Sequence, residues 1–183
     1  MIIGAIICTF VQQSGISNRI FAETISQMLT FIGTHECKLD GKSRIQLPVS
    51  LRKQLPEVDG PQEFVIRRSI FSKCLELYPK AEWDKELSQI NKLNRYKPEN
   101  AVFIRMFMAG SKPVELDTTG RILISKDLLA YAEMKKDVVV ASHLNILEIW
   151  DKDNYEKTVN DPEVDFASLA QKVMGEIPTG NNS

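Results

Sequence analysis

Two acid–base pairs stand at the same spacing in this chain. Asp40 is followed four residues later by Arg44, and Asp117 by Arg121. An Asp in a tight turn can hold nearby backbone N–H groups, and an Arg on the far side of the turn can pair with it. Exposed pairs of this kind contribute only about 0–1 kcal/mol, so their value to stability is small. Their chemical value is larger. A guanidinium held by one carboxylate still has donors to spare, and its five N–H groups form a rigid fork suited to phosphate oxygens or guanine edges.

The pairs belong to a longer repeat. Residues 38–51 read KLDGKSRIQLPVSL and residues 115–128 read ELDTTGRILISKDL, at a constant offset of 77. The similarity continues beyond the loops. EFVIRR (63–68) and CLELYP (74–79) in the first half correspond to DVVVAS (137–142) and ILEIWD (146–151) in the second. Tyr78 and Trp150 end matching strands, with Trp83 and Tyr155 just beyond. An internal period governs the fold of a chain more than any local propensity does. Each half therefore reads strand, turn, strand, short helix, strand, strand, helix.

The elements that position the loops follow from local pattern. Residues 34–39 alternate polar and apolar, as a half-buried strand does. Asp40, Gly41 and Ser43 are turn formers, and Arg44 to Leu47 reads as a second strand. Pro48 suits the first position of a short helix reaching Leu55. Pro79 starts a helix over about 80–93, with Trp83, Leu87, Ile90 and Leu93 near one face. Pro98 starts another, rich in Met and Phe, ended by Gly110; its apolar stripe is expected to be packing. Ser125 and Asp151 are expected N-caps. Residues 161–176 form a last amphipathic stretch before the polar tail GEIPTGNNS.

Composition narrows the function. The 183 residues, 43% hydrophobic, can bury a real core, yet each half alone is of marginal size, so the halves are expected to share one core or to pair with other subunits. Net charge is −1, but it is unevenly spread. From His35 to Lys53 five cations face two acids, whereas from Glu148 to Asp165 seven acids face two cations. Three cysteines, Cys8, Cys37 and Cys74, match no metal knuckle and read as reduced thiols. The two histidines, His35 and His143, lie far apart, and there is no nucleophile elbow, phosphate loop or metal-type His spacing. These features argue against an enzyme and call for no cofactor, metal or small-molecule substrate. The apolar run IIGAIICTFV (2–11) is too short to span a bilayer and has no basic residue before it. Residues 1–27 look foreign to the rest, and Met28 is the expected functional start.

The paired loops, LDGKSRIQLP, CLELYPKAEW and VVVASHLNILEIWDKDNYE together resemble the MraZ family, over essentially all of residues 28–160. The resemblance implies an α+β, β-rich fold: two tandem AbrB-like swapped-hairpin modules forming a pseudo-two-fold, barrel-like unit with flanking short helices. The implied division is a first half at 28–97, a connecting helix at 98–111, a second half at 112–160, and a C-terminal helix and flexible tail at 161–183. It also implies a cytoplasmic, nucleoid-associated transcription regulator of the division and cell-wall gene cluster, usually a repressor. Such a protein binds short promoter repeats through its charged loops as a ring of identical subunits. A protein-binding module of the same fold, antitoxin-like or a ring without DNA, stays open as the second reading.

Carried onto this chain, the DNA-contacting positions are Lys42 and Arg44 in the first loop and Arg121 in the second. Asp40 and Asp117 structure the loops. Lys38, Arg52 and Lys53 are further candidates from the basic stretch around the first loop. The family's loop has Lys-Gly before its Arg; here the first loop has Lys42-Ser43 and the second Thr119-Gly120, without a Lys. Around the second loop Lys112, Arg121 and Lys126 are balanced by Glu115, Asp117 and Asp127. The first loop is therefore expected to face DNA and the second to be mainly architectural.

Overall fold

The computed structural model describes residues 29–176. The expectations for residues 1–27, for Met28, for Cys8 and for the tail beyond residue 176 lie outside the described residues.

Each half supplies four strands in the expected order. In the first, β1 (Thr34–Lys38), β2 (Arg44–Gln46), a short α1 (Val49–Arg52), β3 (Glu63–Arg68) and β4 (Leu75–Pro79) lead into α2 (Lys80–Ile90) and α3 (Pro98–Met108). In the second, β5 (Lys112–Glu115), β6 (Arg121–Leu123), α4 (Lys126–Tyr131), β7 (Asp137–His143) and β8 (Ile146–Asp151) lead into α5 (Lys152–Val159) and α6 (Phe166–Gly175).

The halves are interleaved. The main sheet has the order β1-β7-β8-β4-β3-β5, so the first strand of each half pairs with the third strand of the other. All its pairs are antiparallel. β2 and β6 form a separate two-stranded ladder centred on Ile45↔Ile122. β4 and β8 meet at Glu76↔Glu148, again equivalent residues of the two halves. A single pseudo-two-fold relation thus accounts for both central pairs. Like charges opposite one another destabilise a sheet. Here each is answered locally: Arg67 Nε lies 3.0 Å from Glu76 Oε2, while Trp150 Nε1 donates to Glu148 over 2.9 Å.

The core has the same symmetry. Ile45, Leu47, Leu51, Phe64, Ile66, Leu75 and Leu77 are buried together with their counterparts Ile122, Ile124, Leu128, Val138, Val140, Leu147 and Ile149. Burying each such side chain is worth about 1.5–3 kcal/mol, and half of that total comes from each repeat. Neither half keeps a core of its own.

Several details differ from the sequence reading. The barrel-like unit is not closed: β1 and β5 are the two edges of an open sheet, and only an isolated bridge, Leu39↔Ile45, links β1 to β2. The chain turns at Asp40, and three-residue β2 and β6 are too short to extend the ladder round. α1 stops at Arg52 rather than Leu55, with Pro48 at its N-cap. α2 stops at Ile90, leaving Leu93 in the turn that follows. Asp151 caps α5 as expected, accepting from Asp153 and Asn154 N–H, but the Ser125 hydroxyl instead accepts from Lys112 Nζ. In α3 only Phe107 is buried, stacked on Trp83; Val102, Phe103, Met106 and Met108 are exposed, so most of that stripe is not covered by the other described residues. Phe166, Leu169, Val173 and Met174 of α6 are exposed too, and Gly175 ends that helix rather than starting the tail.

Candidate nucleic-acid interface

The turn between β1 and β2 is built on Asp40. Its Oδ1 accepts from the Lys42 and Arg44 N–H groups at 2.8 and 3.0 Å, and its Oδ2 accepts from Arg44 Nε at 2.9 Å. Arg44 Nη2 adds a contact at 2.7 Å to the same oxygen. The turn between β5 and β6 repeats this. Asp117 Oδ1 accepts from Thr119 and Arg121 N–H, both at 2.9 Å, and Oδ2 from Arg121 Nε at 3.0 Å. The backbone closes alike in both, with Ser43 N–H donating to the Asp40 carbonyl and Gly120 N–H to that of Asp117. This geometry requires positive φ before each Arg, supplied by Ser43 at 61° and by Gly120 at 79°.

Because β2 pairs with β6, the two turns form one group of charges. Arg44 Nη1 lies 3.8 Å from Asp117 Oδ2, and Arg121 Nη1 lies 3.8 Å from Asp40 Oδ2. The Arg44 side chain is 25% exposed and that of Arg121 32%, so loop geometry and exposure do not separate them. The Arg44 guanidinium and the backbone N–H groups hold the Asp40 carboxyl down at about 2. The Thr119 hydroxyl first, then the Arg121 donors, hold Asp117 well below the usual carboxylate range. Both acids are therefore anionic at neutral pH, and they orient the guanidinium groups without exhausting their donors.

The loops differ in what flanks them. Lys42 is exposed, and among the described residues its ammonium has no partner; Lys53 is likewise exposed and unpaired among them. Lys38 is 72% exposed and loosely paired with Asp137 at 3.6 Å, an exposed pair worth little. Arg52 is half-buried and reaches away from its own loop, laying its guanidinium over Gly120 of the second loop. Gln46 also crosses over, its Nε2 donating to the Thr119 and Gly120 carbonyls at 2.8 and 3.1 Å. Gln46 is not marked by the charge and turn pattern of the loop. The available signal was its contrast with Leu123, which holds the same place in the other repeat and is exposed. On the far flank Lys112 is tied to Asp127 at 2.5 Å.

Among the described residues no group of three or more His, Cys, Asp or Glu side chains could hold a metal ion. His35 Nε2 lies 3.0 Å from Ser50 Oγ and His143 Nδ1 the same distance from Glu148 Oε1. Cys37 and Cys74 are free thiols, and burial pushes Cys74 up to about 12. No helix of the described residues is long and apolar enough to cross a membrane.

Comparison with known proteins matches the repeat in the geometry. A family model described as MraZ protein and antitoxin-like matches twice, over residues 30–106 and 106–175. Proteins named transcriptional regulator MraZ from Flavobacterium psychrophilum and Christiangramia forsetii are each 52% identical over 150 residues. Those alignments cover 82% and 81% of this chain and 95% of each relative. One of the same name from Cytophaga hutchinsonii is 38% identical over 144 residues, 79% of this chain and 94% of its own. Two matches in tandem, falling on two interleaved halves, place the chain in the MraZ family.

Proposed function

We propose that this protein is a DNA-binding transcription regulator, acting on the promoter of its own division and cell-wall gene cluster and usually repressing it. Membership of a family whose relatives are named transcriptional regulators supports regulation. The observation that carries DNA contact is the convergence of Arg44 and Arg121 on one face, each aimed by its own Asp, with Lys42 exposed in the first of the two turns. One subunit offers few cations. Several copies on tandem repeats gain from high effective concentration, and each neutralised phosphate releases counterions. A ring of subunits supplies those copies, and the apolar side chains exposed on α3 and α6 support such assembly.

A reporter fused to the region upstream of the gene tests this reading. Wild-type protein lowers its output and the Arg44→Ala variant does not. Unchanged output in the presence of folded wild-type protein speaks against it. The same exposed helices favour, as a second reading, a protein-binding module of this fold; a small protein co-purifying in fixed ratio, without any effect on the reporter, would select it.

A further inference from the structure

The second loop lacks the Lys that the first loop carries: Thr119 stands where Lys42 does, and its hydroxyl is turned back onto Asp117 Oδ1 at 2.6 Å. We infer that Arg52, from the first half, is the missing cation of the second loop, so that a DNA phosphate there is held by a seat built across the two repeats. The inference rests on the DNA-binding reading above and assigns one residue's part in it.

Three observations converge on Arg52. The first is space. A Cβ built on Gly120 would fall 2.7 Å from Arg52 Cζ and 3.1 Å from its Nε, and closer still to Nη1. The guanidinium occupies the space that a side chain at residue 120 would need, and Gly120 is buried. The second is unspent hydrogen-bonding capacity. Arg44 and Arg121 each give Nε to an Asp, whereas among the described residues the Arg52 guanidinium has no carboxylate or carbonyl partner, and its Nε is buried without one. Leaving that Nε–H without an acceptor is costly, and a phosphate oxygen is the acceptor the guanidinium fork fits best. The third is asymmetry. The position equivalent to Arg52 in the second repeat is Leu129, packed against the core, so the first loop receives no such visitor. The first loop carries its own Lys42; the second borrows Arg52, with Gln46 holding the loop carbonyls in place. Each loop thus has one Asp-held Arg and one uncommitted cation, drawn in both cases from the first half.

The test is a salt titration of binding to the upstream DNA and to scrambled DNA of equal length. It uses full-length wild type, Arg52→Ala, Gly120→Ser, the double variant, and Arg52→Ala carrying Thr119→Lys. Thermal unfolding checks that each is folded. Wild type must first bind the upstream DNA selectively; if it does not, the DNA-binding reading fails and this inference with it. Given selective binding, Arg52→Ala weakens affinity roughly fivefold or more on both DNAs and lowers the salt slope by about one ion per engaged subunit, as loss of a phosphate contact does. Gly120→Ser copies the first loop's Ser43 and displaces the guanidinium, so it weakens wild type but adds little to Arg52→Ala. Thr119→Lys restores affinity and slope to Arg52→Ala. Wild-type affinity and slope in folded Arg52→Ala, or weakened binding with an unchanged slope, overturns the assignment while leaving the general reading in place.

Discussion

Ile45 faces Ile122 across the β2–β6 ladder, in register and with both side chains fully buried. The pair joins equivalent residues of the two repeats, and the loops it anchors are those whose Asp–Arg pairs meet. Truncating either side chain leaves a cavity at the centre of the shared core. Ile45→Ala and Ile122→Ala should each destabilise by about 2–5 kcal/mol, and to a similar extent. Denaturant unfolding of the two variants checks this. A large loss for one and none for the other would contradict the equivalence of the halves.

The crossing of strands predicts how a half behaves alone. A fragment of residues 29–109 lacks β5 and β7, so β1 has no sheet partner and β3 loses one of its two. If it folds, it should do so only by pairing with a second copy of itself. Sedimentation with circular dichroism reads this directly: a folded monomer is the contrary result.

Arg44→Ala should abolish selective DNA binding and leave assembly unchanged. The Asp40–Arg44 pair is solvent-exposed enough to contribute only about 0–1 kcal/mol, so thermal stability should fall little. Gel filtration, a melting curve and a binding titration on one sample separate these effects. Loss of oligomeric size together with binding would make Arg44 a structural residue instead.

Acid should loosen the loops together. The folded-state pKa of Asp40, about 2, lies below its ordinary value of 3.8, and that of Asp117 is lowered as well, so both carboxylates add stability above about pH 4. That contribution is lost as pH falls through the window from about 4 towards 2. The variant Asp40→Asn should flatten the acid limb of stability against pH, measured by urea unfolding at stepped pH. An acid limb identical to wild type would show that Asp40 does not carry it.

The Asp40–Arg44 and Asp117–Arg121 pairs were legible in the sequence because both partners of each lie in one turn. Their union into a single group was not, since it depends on β2 meeting β6 in a register that neither segment encodes by itself. Arg52 shows the same limit. It stands in a basic stretch, which is visible, but its seat is Gly120, sixty-eight residues away and in the other repeat. The apolar stripe of α3 looked like core because periodicity reports amphipathicity without saying what covers it. The open sheet was likewise hidden: strand length at β2 and β6 decides closure, and strand ends are poorly marked in sequence.

The most direct test of the central claim is a gel-shift titration of the full-length protein. It compares DNA from upstream of the protein's own gene with scrambled DNA of equal length, at two salt concentrations. The paired-loop face predicts a selective shift in discrete steps that weakens steeply with salt. No selective shift from folded, assembled protein would contradict DNA recognition and leave the interleaved fold to serve a protein partner.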